Sequence, residues 1–337
     1  MDNEEEADTD GEEAALATAG TSQKKARGSA HTTSDRISAS SASADSASAA
    51  LPLARPCTLR TFTIGETDDD DNSDSAAPPP IRVSIPEWDS TDLGSFLWPS
   101  ALLLADYIHR QWRSHIVGKT VLELGAGRCL NGIHCAKIGA QAVILTDADP
   151  AVLRDAEVIV RLNGLVSRSP ASSAAASSSS SLSALSPSVS VMPLVWGEFC
   201  PRTRALRGRV DVLIGADVFY DGLDFESVFA TVSFFGMPFL TAYQNRGEGL
   251  RRFRLLARKW RIAMERLEWE CDIGEMLQRA EERRVNSIEE GVPGAPLPSS
   301  PSSVTSVRCR SSASLHENVS LELLLFAPEP VRHAAEN

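Results

Sequence analysis

Residues 121–132 have the sequence VLELGAGRCLNG, in which an apolar strand is followed by a glycine-rich turn and the start of a helix. Gly125 and Gly127 lack a Cβ, so the backbone can turn tightly there and approach a ligand closely. The helix that follows offers unpaired N–H groups and the positive end of its dipole. Such a turn at the carboxyl end of a strand predicts a ligand site in an open α/β sheet.

The spacing of this turn argues against the common phosphate-binding loops. A dinucleotide fingerprint, G-x-G-x-x-G, needs its third glycine at position 130, which is Leu130, and a Walker loop needs a Gly-Lys-Ser/Thr run that is absent from this turn. Glu123, just ahead of the first glycine, would repel a pyrophosphate and favours a ligand with a cationic or amino-bearing end. An ordinary βα turn of another α/β protein is the alternative for this segment taken alone.

A second carboxylate is expected at the same edge of the sheet. Residues 141–149, QAVILTDAD, form an apolar strand that ends in acidic residues, and Asp147 follows Gly125 by 22 residues. A βαβ unit of this length brings the end of the second strand beside the first turn. Asp149, directly before Pro150, suits the cap of the next helix, so we expect Asp147 to be free for the ligand.

Low-complexity segments reduce the part of the 337-residue chain that can form a core. Residues 1–55 are an acidic, Ser- and Ala-rich tail, and further biased segments lie at about 66–80, 166–190 and 286–314. Segments of this composition cannot bury enough apolar surface to offset the entropy lost on ordering. We therefore predict one domain, residues 56–330, with three disordered insertions around a core of roughly 200 residues.

The charge distribution bears on possible partners, and the cysteines bear on the cellular compartment. Residues 1–80 carry a net −10 of the total −12, so the fold itself is nearly neutral. The acidic tail is expected to be solvated, with attraction of basic partners such as histones as the alternative. The six cysteines form no C-x-x-C pair and no zinc-spaced cluster, which predicts free thiols and no metal site. With no signal peptide and no membrane-spanning run, we expect a soluble protein of the cytoplasm or nucleus.

Strands alternate with helices along the rest of the chain. A hairpin of strands is predicted at 61–64 and 81–85, followed by strands at 119–124, 142–146, 191–195, 209–216, 237–243, 261–268 and 319–326, and by helices at 97–113, 130–138, 150–162, 223–235 and 249–260. This alternation predicts a mostly parallel sheet, with an antiparallel last strand as an option. The arginines between 246 and 261 are expected on a solvated helix face, with RNA binding as the weaker alternative.

Four motifs, in this order, carry a family resemblance: Trp98-Pro99, ELGAG at 123–127, LVWG at 194–197 and GADVFY at 215–220. With them the chain resembles the class I, seven-β-strand S-adenosylmethionine (SAM) methyltransferases, and within these the methyltransferase-like group that modifies protein lysines and arginines. The resemblance covers roughly residues 60–165, 190–270 and 315–327. It implies an α/β, Rossmann-like, seven-stranded, mostly parallel sheet with helices on both faces, and SAM as the cofactor.

The resemblance also implies a role for individual residues. It assigns cofactor binding to Trp98, Glu123, Gly125, Ala126, Gly127, Asp147, Trp196 and Ala216, and a catalytic role facing the transferred methyl to Asp217 and Tyr220. Each tryptophan has packing in the core as its alternative, and Tyr220 has packing under the fourth strand. Arg128-Cys129 stands where a Thr-Gly pair is more usual, which is expected to alter the cofactor loop.

The implied reaction is methyl transfer from SAM to an arginine or lysine side chain of a protein, with a histone or a chaperone as the expected substrate. No membrane or nucleic-acid partner is expected, and the oligomeric state is left open. A small-molecule or RNA methyltransferase on the same fold is one alternative, although no Asn-Pro-Pro-Tyr type motif follows the fourth strand. A catalytically inactive scaffold with a methyltransferase fold is the other.

Overall fold

The computed structural model describes residues 57–66, 78–88, 93–167, 187–247, 249–286 and 320–329. The predicted tail and most of the three predicted insertions lie outside these ranges. Residues 188–190, which we predicted within an insertion, belong to a strand instead. Within the described part of the chain, no helix combines the length and the apolar composition needed to cross a bilayer.

The first two strands form the predicted antiparallel hairpin. Strand β1 (Cys57–Ile64) pairs with β2 (Ile81–Trp88) along its full length. Both strands extend beyond the predicted bounds, and β9 (Val285–Asn286) adds a short third strand on the other side of β1.

The five cysteines in the described ranges are free thiols, as expected for them, and Cys309 lies outside these ranges.

The main sheet has seven strands in the order β5-β4-β3-β6-β7-β10-β8. Their bounds are β3 (Thr120–Glu123), β4 (Ala142–Asp147), β5 (Ser188–Pro193), β6 (Val212–Ala216), β7 (Phe239–Gln244), β8 (Ile262–Leu267) and β10 (Leu321–Pro328). The first five in this order are parallel, and β10 runs antiparallel to both β7 and β8. The chain leaves β3 toward β4 and later returns to place β6 on its other side. This reversal creates the crevice at which open α/β sheets bind ligands.

Seven α-helices accompany the strands of the described chain. They are α1 (Pro99–Tyr107), α2 (Leu130–Lys137), α3 (Pro150–Leu162), α4 (Pro201–Arg204), α5 (Phe225–Phe235), α6 (Gly249–Trp260) and α7 (Ile273–Glu282). Helices α3 and α6 have the predicted bounds. The helix predicted at 97–113 ends earlier, because a π-helical turn (Ile108–Trp112) follows α1. Helices α4 and α7 were not predicted.

The two faces of the sheet are buried in separate hydrophobic cores. Val121 packs with residues of α1, α2 and α3 on one face, whereas the next residue, Leu122, packs with α5 and α6 on the other. Consecutive residues of a strand point to opposite faces, so a continuous apolar strand such as β3 is expected when helices cover both. The predicted Rossmann-like fold with helices on both faces is therefore confirmed.

Helix α2 lies unusually close to the sheet at Gly132. A Cβ built on this residue would lie 2.2 Å from Cδ2 of Leu145 and 2.5 Å from Oε2 of Glu123. Glycine weakens a helix by about 1 kcal/mol relative to alanine, so its use inside α2 needs a reason. The reason is space, because only a residue without a side chain lets the first turn of α2 rest directly on β3 and β4.

We expect Gly132→Ala to lower the free energy of unfolding by about 1–3 kcal/mol, because its methyl group overpacks against Leu145 and the Glu123 carboxyl. Helix propensity alone predicts the opposite sign. Gly274→Ala in α7 is the matched control, since its Cβ would approach only Oδ1 of Asp272, at 3.2 Å. Urea unfolding of both variants measures the difference, and a Gly132→Ala protein as stable as the wild type would contradict the packing argument.

Candidate active site

A cavity of about 720 Å³ opens at the carboxyl ends of β3, β4 and β6. The structure brings all ten predicted site residues to its wall: Trp98, Glu123, Gly125, Ala126, Gly127, Asp147, Trp196, Ala216, Asp217 and Tyr220. Their roles remain predictions, but their assembly in one cavity follows from the sheet order. Parallel strands end at the same edge, and the strand that ends at Glu123 lies between those that end at Asp147 and Ala216.

The turn after β3 depends on glycine at two positions. Gly125 and Gly127 have φ angles of +59° and +45°, the left-handed region that residues with a Cβ rarely adopt. A Cβ on Gly125 would also lie 3.0 Å from Cζ2 of Trp196, so the indole packs directly on the backbone of the turn. Cys129 is left-handed as well, with φ of 60°, and occupies the N-cap position of α2 without a capping hydrogen bond from its side chain.

Arg128 fastens this turn to neighbouring segments. Its Nε donates to the Ser95 carbonyl oxygen at 2.7 Å, and one terminal nitrogen donates to Asp155 in α3 at 3.3 Å. The guanidinium also lies over the Trp88 ring, 4.7 Å from its centroid. Arg128 therefore anchors the turn to three other segments, which the sequence alone could not indicate. Whether the Arg128-Cys129 pair alters the cofactor loop relative to the family stays a prediction.

Glu123 is a fully buried carboxyl group in the wall of the cavity. Its Oε2 accepts a hydrogen bond from the Gly132 N–H at 3.0 Å. Burial raises the pKa of Glu123 to about 8, and the Gly132 N–H offsets only part of this effect. At neutral pH the carboxyl group of Glu123 is therefore protonated when no cation is nearby. A cationic ligand group beside it would favour the ionised form. This is the behaviour expected for a carboxyl group that receives an amino-bearing ligand.

Asp147 is less free than predicted. Its Oδ2 accepts from the Gly127 N–H at 3.2 Å, and its Oδ1 accepts from the Asp149 N–H at 3.0 Å. The carboxylate at the end of β4 therefore also closes the turn after β3. A carboxylate offers about four acceptor sites, so these bonds still leave capacity for ligand hydroxyls. Asp149 caps α3 as predicted, accepting from the Ala151 N–H at 2.7 Å.

Asp217 is a buried carboxylate held by Arg246. The two terminal nitrogens of Arg246 donate to Oδ1 and Oδ2 of Asp217 at 3.0 and 2.7 Å, and the Gln244 N–H donates to Oδ1 at 3.1 Å. The same guanidinium lies 5.7 Å from the centroid of the Trp98 ring. Asp217 has a left-handed φ of +55°, which is unusual for a residue other than glycine and occurs mostly where surrounding contacts enforce it.

The prediction that Arg246 lies on a solvated helix face was wrong. Helix α6 begins only at Gly249, so Arg246 belongs to the loop that follows β7 and reaches the wall of the cavity. Nothing local in the sequence connects it with Asp217, 29 residues earlier. The two meet because β6 and β7 are parallel neighbours and end at the same edge of the sheet.

Tyr220 stands at the mouth of the cavity rather than under the fourth strand. Its side chain is 48% exposed, and its ring meets the Trp196 ring edge-on with 6.2 Å between centroids. Partial burial raises the pKa of Tyr220, and the negative charge of Asp224 adds to this effect. The hydroxyl is therefore a stable hydrogen-bond donor at neutral pH.

The cavity carries more acidic than basic groups. Its carboxyl groups are Glu123, Asp147, Asp149, Asp217 and Asp224, and its two basic side chains are Arg128 and Arg246. Both arginines already pair with carboxylates, Arg128 with Asp155 and Arg246 with Asp217. Apart from the protonated Glu123 and the paired Asp217, the wall still holds Asp147, Asp149 and Asp224, and this surplus of carboxylates favours a cationic ligand.

Comparison with known proteins identifies the family. The sequence profile of the family described as lysine methyltransferase matches residues 79–253, about half of the chain. The chain belongs to the lysine methyltransferase family. Its members are SAM-dependent methyltransferases, so the family resemblance seen in the motifs, the enzyme class and the cofactor expected from it are confirmed.

The individual proteins to which the chain is similar bear two kinds of name. A "Histone-arginine methyltransferase METTL23" of Xenopus laevis is 34% identical over 188 residues, which cover 54% of this chain and 70% of the relative. The match to the human protein of that name covers 62% of its length. A "Protein N-lysine methyltransferase METTL21A" of Danio rerio is 31% identical, covering 42% of this chain and 54% of the relative. Among solved structures, the methyltransferase domain of bacterial CtHen1-C matches 69% of this chain and all of that domain, with 10% identity and a TM-score of 0.40.

The cavity of this lysine methyltransferase family member fits SAM. Its glycine turn offers backbone without side chains, and two tryptophans supply apolar surface for a nucleoside. The Asn131 side-chain oxygen, in the same wall, is buried and accepts no hydrogen bond from any described residue, so a ligand donor would satisfy it. SAM has an ammonium, a sulfonium and no phosphate, in keeping with the surplus of carboxylates.

The raised pKa of Glu123 predicts a specific dependence of stability on pH. The unfolded chain ionises this group near pH 4.5, whereas the folded protein keeps it protonated to about pH 8. Between these values the folded state binds one more proton, so stability falls by about 1.4 kcal/mol per pH unit from this group. Glu123→Gln, which retains the hydrogen-bond acceptor, lacks this loss.

We therefore expect the stability of Glu123→Gln relative to the wild type to increase steadily from pH 5 to pH 7 in protein free of cofactor. Urea unfolding at three pH values measures it. Glu198→Gln, at an exposed carboxyl, controls for the loss of a surface charge. A wild-type-to-variant difference that stays constant across this range would show that Glu123 is ionised in the folded protein.

Proposed function

We propose that this protein transfers the methyl group of SAM to an arginine or lysine side chain of another protein, and that histones are the first substrates to test. The observation that carries the proposal is the excess of carboxylates in and around the cavity, which suits a cationic acceptor. The names of similar proteins support both acceptor types, histone arginine for one and protein lysine for the other.

In this proposal the cofactor lies over the turn after β3. Gly125, Ala126 and Gly127 would contact its amino-acid part beside Glu123, and Asp147 would accept hydrogen bonds from its ribose. Trp98 and Trp196 would flank its apolar surface. SAM supplies a methyl group that its sulfonium has already activated, so the work left to the chain is to hold the two reactants in line and keep water out.

Asp217 would orient the acceptor nitrogen. Arg246 and the Gln244 N–H occupy three of its roughly four acceptor sites, which leaves one site on Oδ2 for an incoming N–H. A single directed hydrogen bond places a nitrogen more narrowly than an unconstrained carboxylate does. Tyr220 packs against Trp196 and is about half exposed. It would therefore shape the entrance through which the acceptor side chain passes.

The direct test is to incubate the protein with labelled SAM and purified histone octamer, and to map the modified residue by mass spectrometry. We expect label on an arginine or lysine side chain. Asp217→Asn, which keeps the shape but removes the charge, should lower kcat by about 100-fold because the acceptor is no longer oriented and stabilised. Its stabilisation by SAM in a thermal-shift titration should match that of the wild type.

Glu66→Gln is the matched control for Asp217→Asn. Glu66 forms the same kind of two-pronged pair, with Arg283, but does not line the cavity. It should therefore retain full turnover. Full turnover in Asp217→Asn would remove Asp217 from the proposed mechanism, and a wild-type protein that SAM does not stabilise would favour a scaffold over an enzyme.

If Arg246 holds Asp217 in its working orientation, Arg246→Ala should lose about tenfold or more in kcat, because a small displacement of an orienting group has large kinetic effects. Low-millimolar guanidinium chloride, far below denaturing concentrations, should restore part of this activity and leave the wild type unchanged. Arg246→Lys should recover less, since an ammonium cannot reproduce the two parallel hydrogen bonds.

The opposite response to guanidinium is informative as well. If guanidinium inhibits Arg246→Ala in competition with the acceptor, Arg246 occupies the place of the acceptor instead of supporting Asp217. Unchanged turnover in Arg246→Ala, with or without guanidinium, would show that Asp217 needs no such support.

A further inference from the structure

Exposed apolar side chains concentrate around the mouth of the cavity. Of the eight large apolar side chains that are exposed in the described ranges, Phe96, Val195 and Tyr220 lie here, and a fourth, Leu223, directly precedes the lining residue Asp224 in the chain. The first three line the cavity, and Leu223 lies between Tyr220 and Asp224, which also line it. We call these four residues the apolar rim. Clustered apolar side chains on a protein surface mark sites of interaction more often than scattered ones do.

Leu223 contributes little to the folded protein itself. Leu223 is 85% exposed, which is the highest exposed fraction among the eight large apolar residues. The loop that carries it is nevertheless well anchored, because Phe219 before it and Phe225 after it are buried in the aromatic core. Within the loop, the Leu223 N–H donates to Oδ1 of Asp221 at 2.9 Å. The fold thus presents a leucine in a fixed position without using its side chain.

Acidic groups accompany the apolar rim. Asp221 and Asp224 flank Leu223, and Asp149 lies in the wall of the cavity. Arg252 of α6 is a cation beside this loop, with its guanidinium over the Phe225 ring and close to Gly222, and the three carboxylates outnumber it. A partner that matches this surface needs positive charge and an apolar group side by side. A small cationic molecule held inside the cavity would leave Leu223 uncovered, whereas a protein segment can cover it while one of its side chains enters the cavity.

We propose that the apolar rim docks a basic protein segment that carries an apolar residue close in sequence to the methyl-accepting side chain, with Leu223 as the main contact. The proposal rests on the proposed function and adds the chemistry by which the substrate is recognised. Contacts of this type act on binding, since they are formed equally in the ground state and the transition state.

The test compares two exposed leucines. Leu223→Ser removes the rim contact, and Leu255→Ser removes a leucine on α6 that is 58% exposed and does not line the cavity. With labelled SAM and histone octamer, we expect Leu223→Ser to raise the KM for histone about five- to tenfold, as for the loss of part of a buried leucine contact. Its kcat at saturating histone and its stabilisation by SAM should be unchanged, and Leu255→Ser should match the wild type throughout.

Each other outcome overturns a distinct part of the proposal. Equal KM values in the two variants and the wild type would show that the rim takes no part in substrate binding. A lower Tm of Leu223→Ser without substrate, or a changed mass in light scattering, would show that another part of this chain or a second copy covers the rim. A wild-type protein that neither methylates nor binds histone octamer, measured by biolayer interferometry, would contradict the proposed function on which the inference rests.

Discussion

The hydrogen bond from the Gly132 N–H to the buried Glu123 carboxyl ties the end of β3 to the first turn of α2, and the geometry of the cavity depends on it. It forms only because Gly132 has no side chain to separate the helix from the sheet. Once both ends are joined in this way, the intervening turn at residues 125–127 has little freedom. Asp147 completes the closure by accepting from the Gly127 N–H, so two carboxyl groups from neighbouring strands hold one loop.

Burying a carboxyl group is costly, and Glu123 shows that cost in its raised pKa. A neutral side chain could accept the Gly132 N–H equally well, so structure alone does not account for an ionisable group at this position. In a site that receives a cofactor with an ammonium and a sulfonium, a carboxyl group poised near neutrality gains a partner when the ligand arrives. In the proposed function, the same group would serve the fold as an acceptor and the ligand as a counter-charge.

At the other end of the cavity, a partner within the protein balances the charge of the carboxylate. Asp217 is paired in advance with Arg246, so its charge is compensated before any acceptor enters. A buried carboxylate without a partner would be strongly unfavourable, whereas a paired one retains its orientation and one acceptor site. Asp217 is buried, whereas Asp149 is exposed and Asp224 is partly exposed, and exposed apolar side chains line the same cavity. In the proposed function, the carboxylates that attract a cationic acceptor would thus be separate from the one that orients it.

Much of this protein could be predicted from local sequence. Asp149 before Pro150 marks the start of α3, and apolar runs mark β3, β4 and β6. Local motifs indicate the ten predicted residues of the cavity wall, and strand order brings those at the ends of β3, β4 and β6 to one edge. Prediction from local sequence failed where contacts between distant segments determine the structure. Pairing with β4 brings Ser188 into β5 despite its polar side chain, and Arg246 acquires its contact only through a partner 29 residues away.

The sequence by itself determined the fold class and the motif residues. The pairing of Asp217 and the exposure of Leu223 were decided by the tertiary structure, since both depend on which distant segments come into contact.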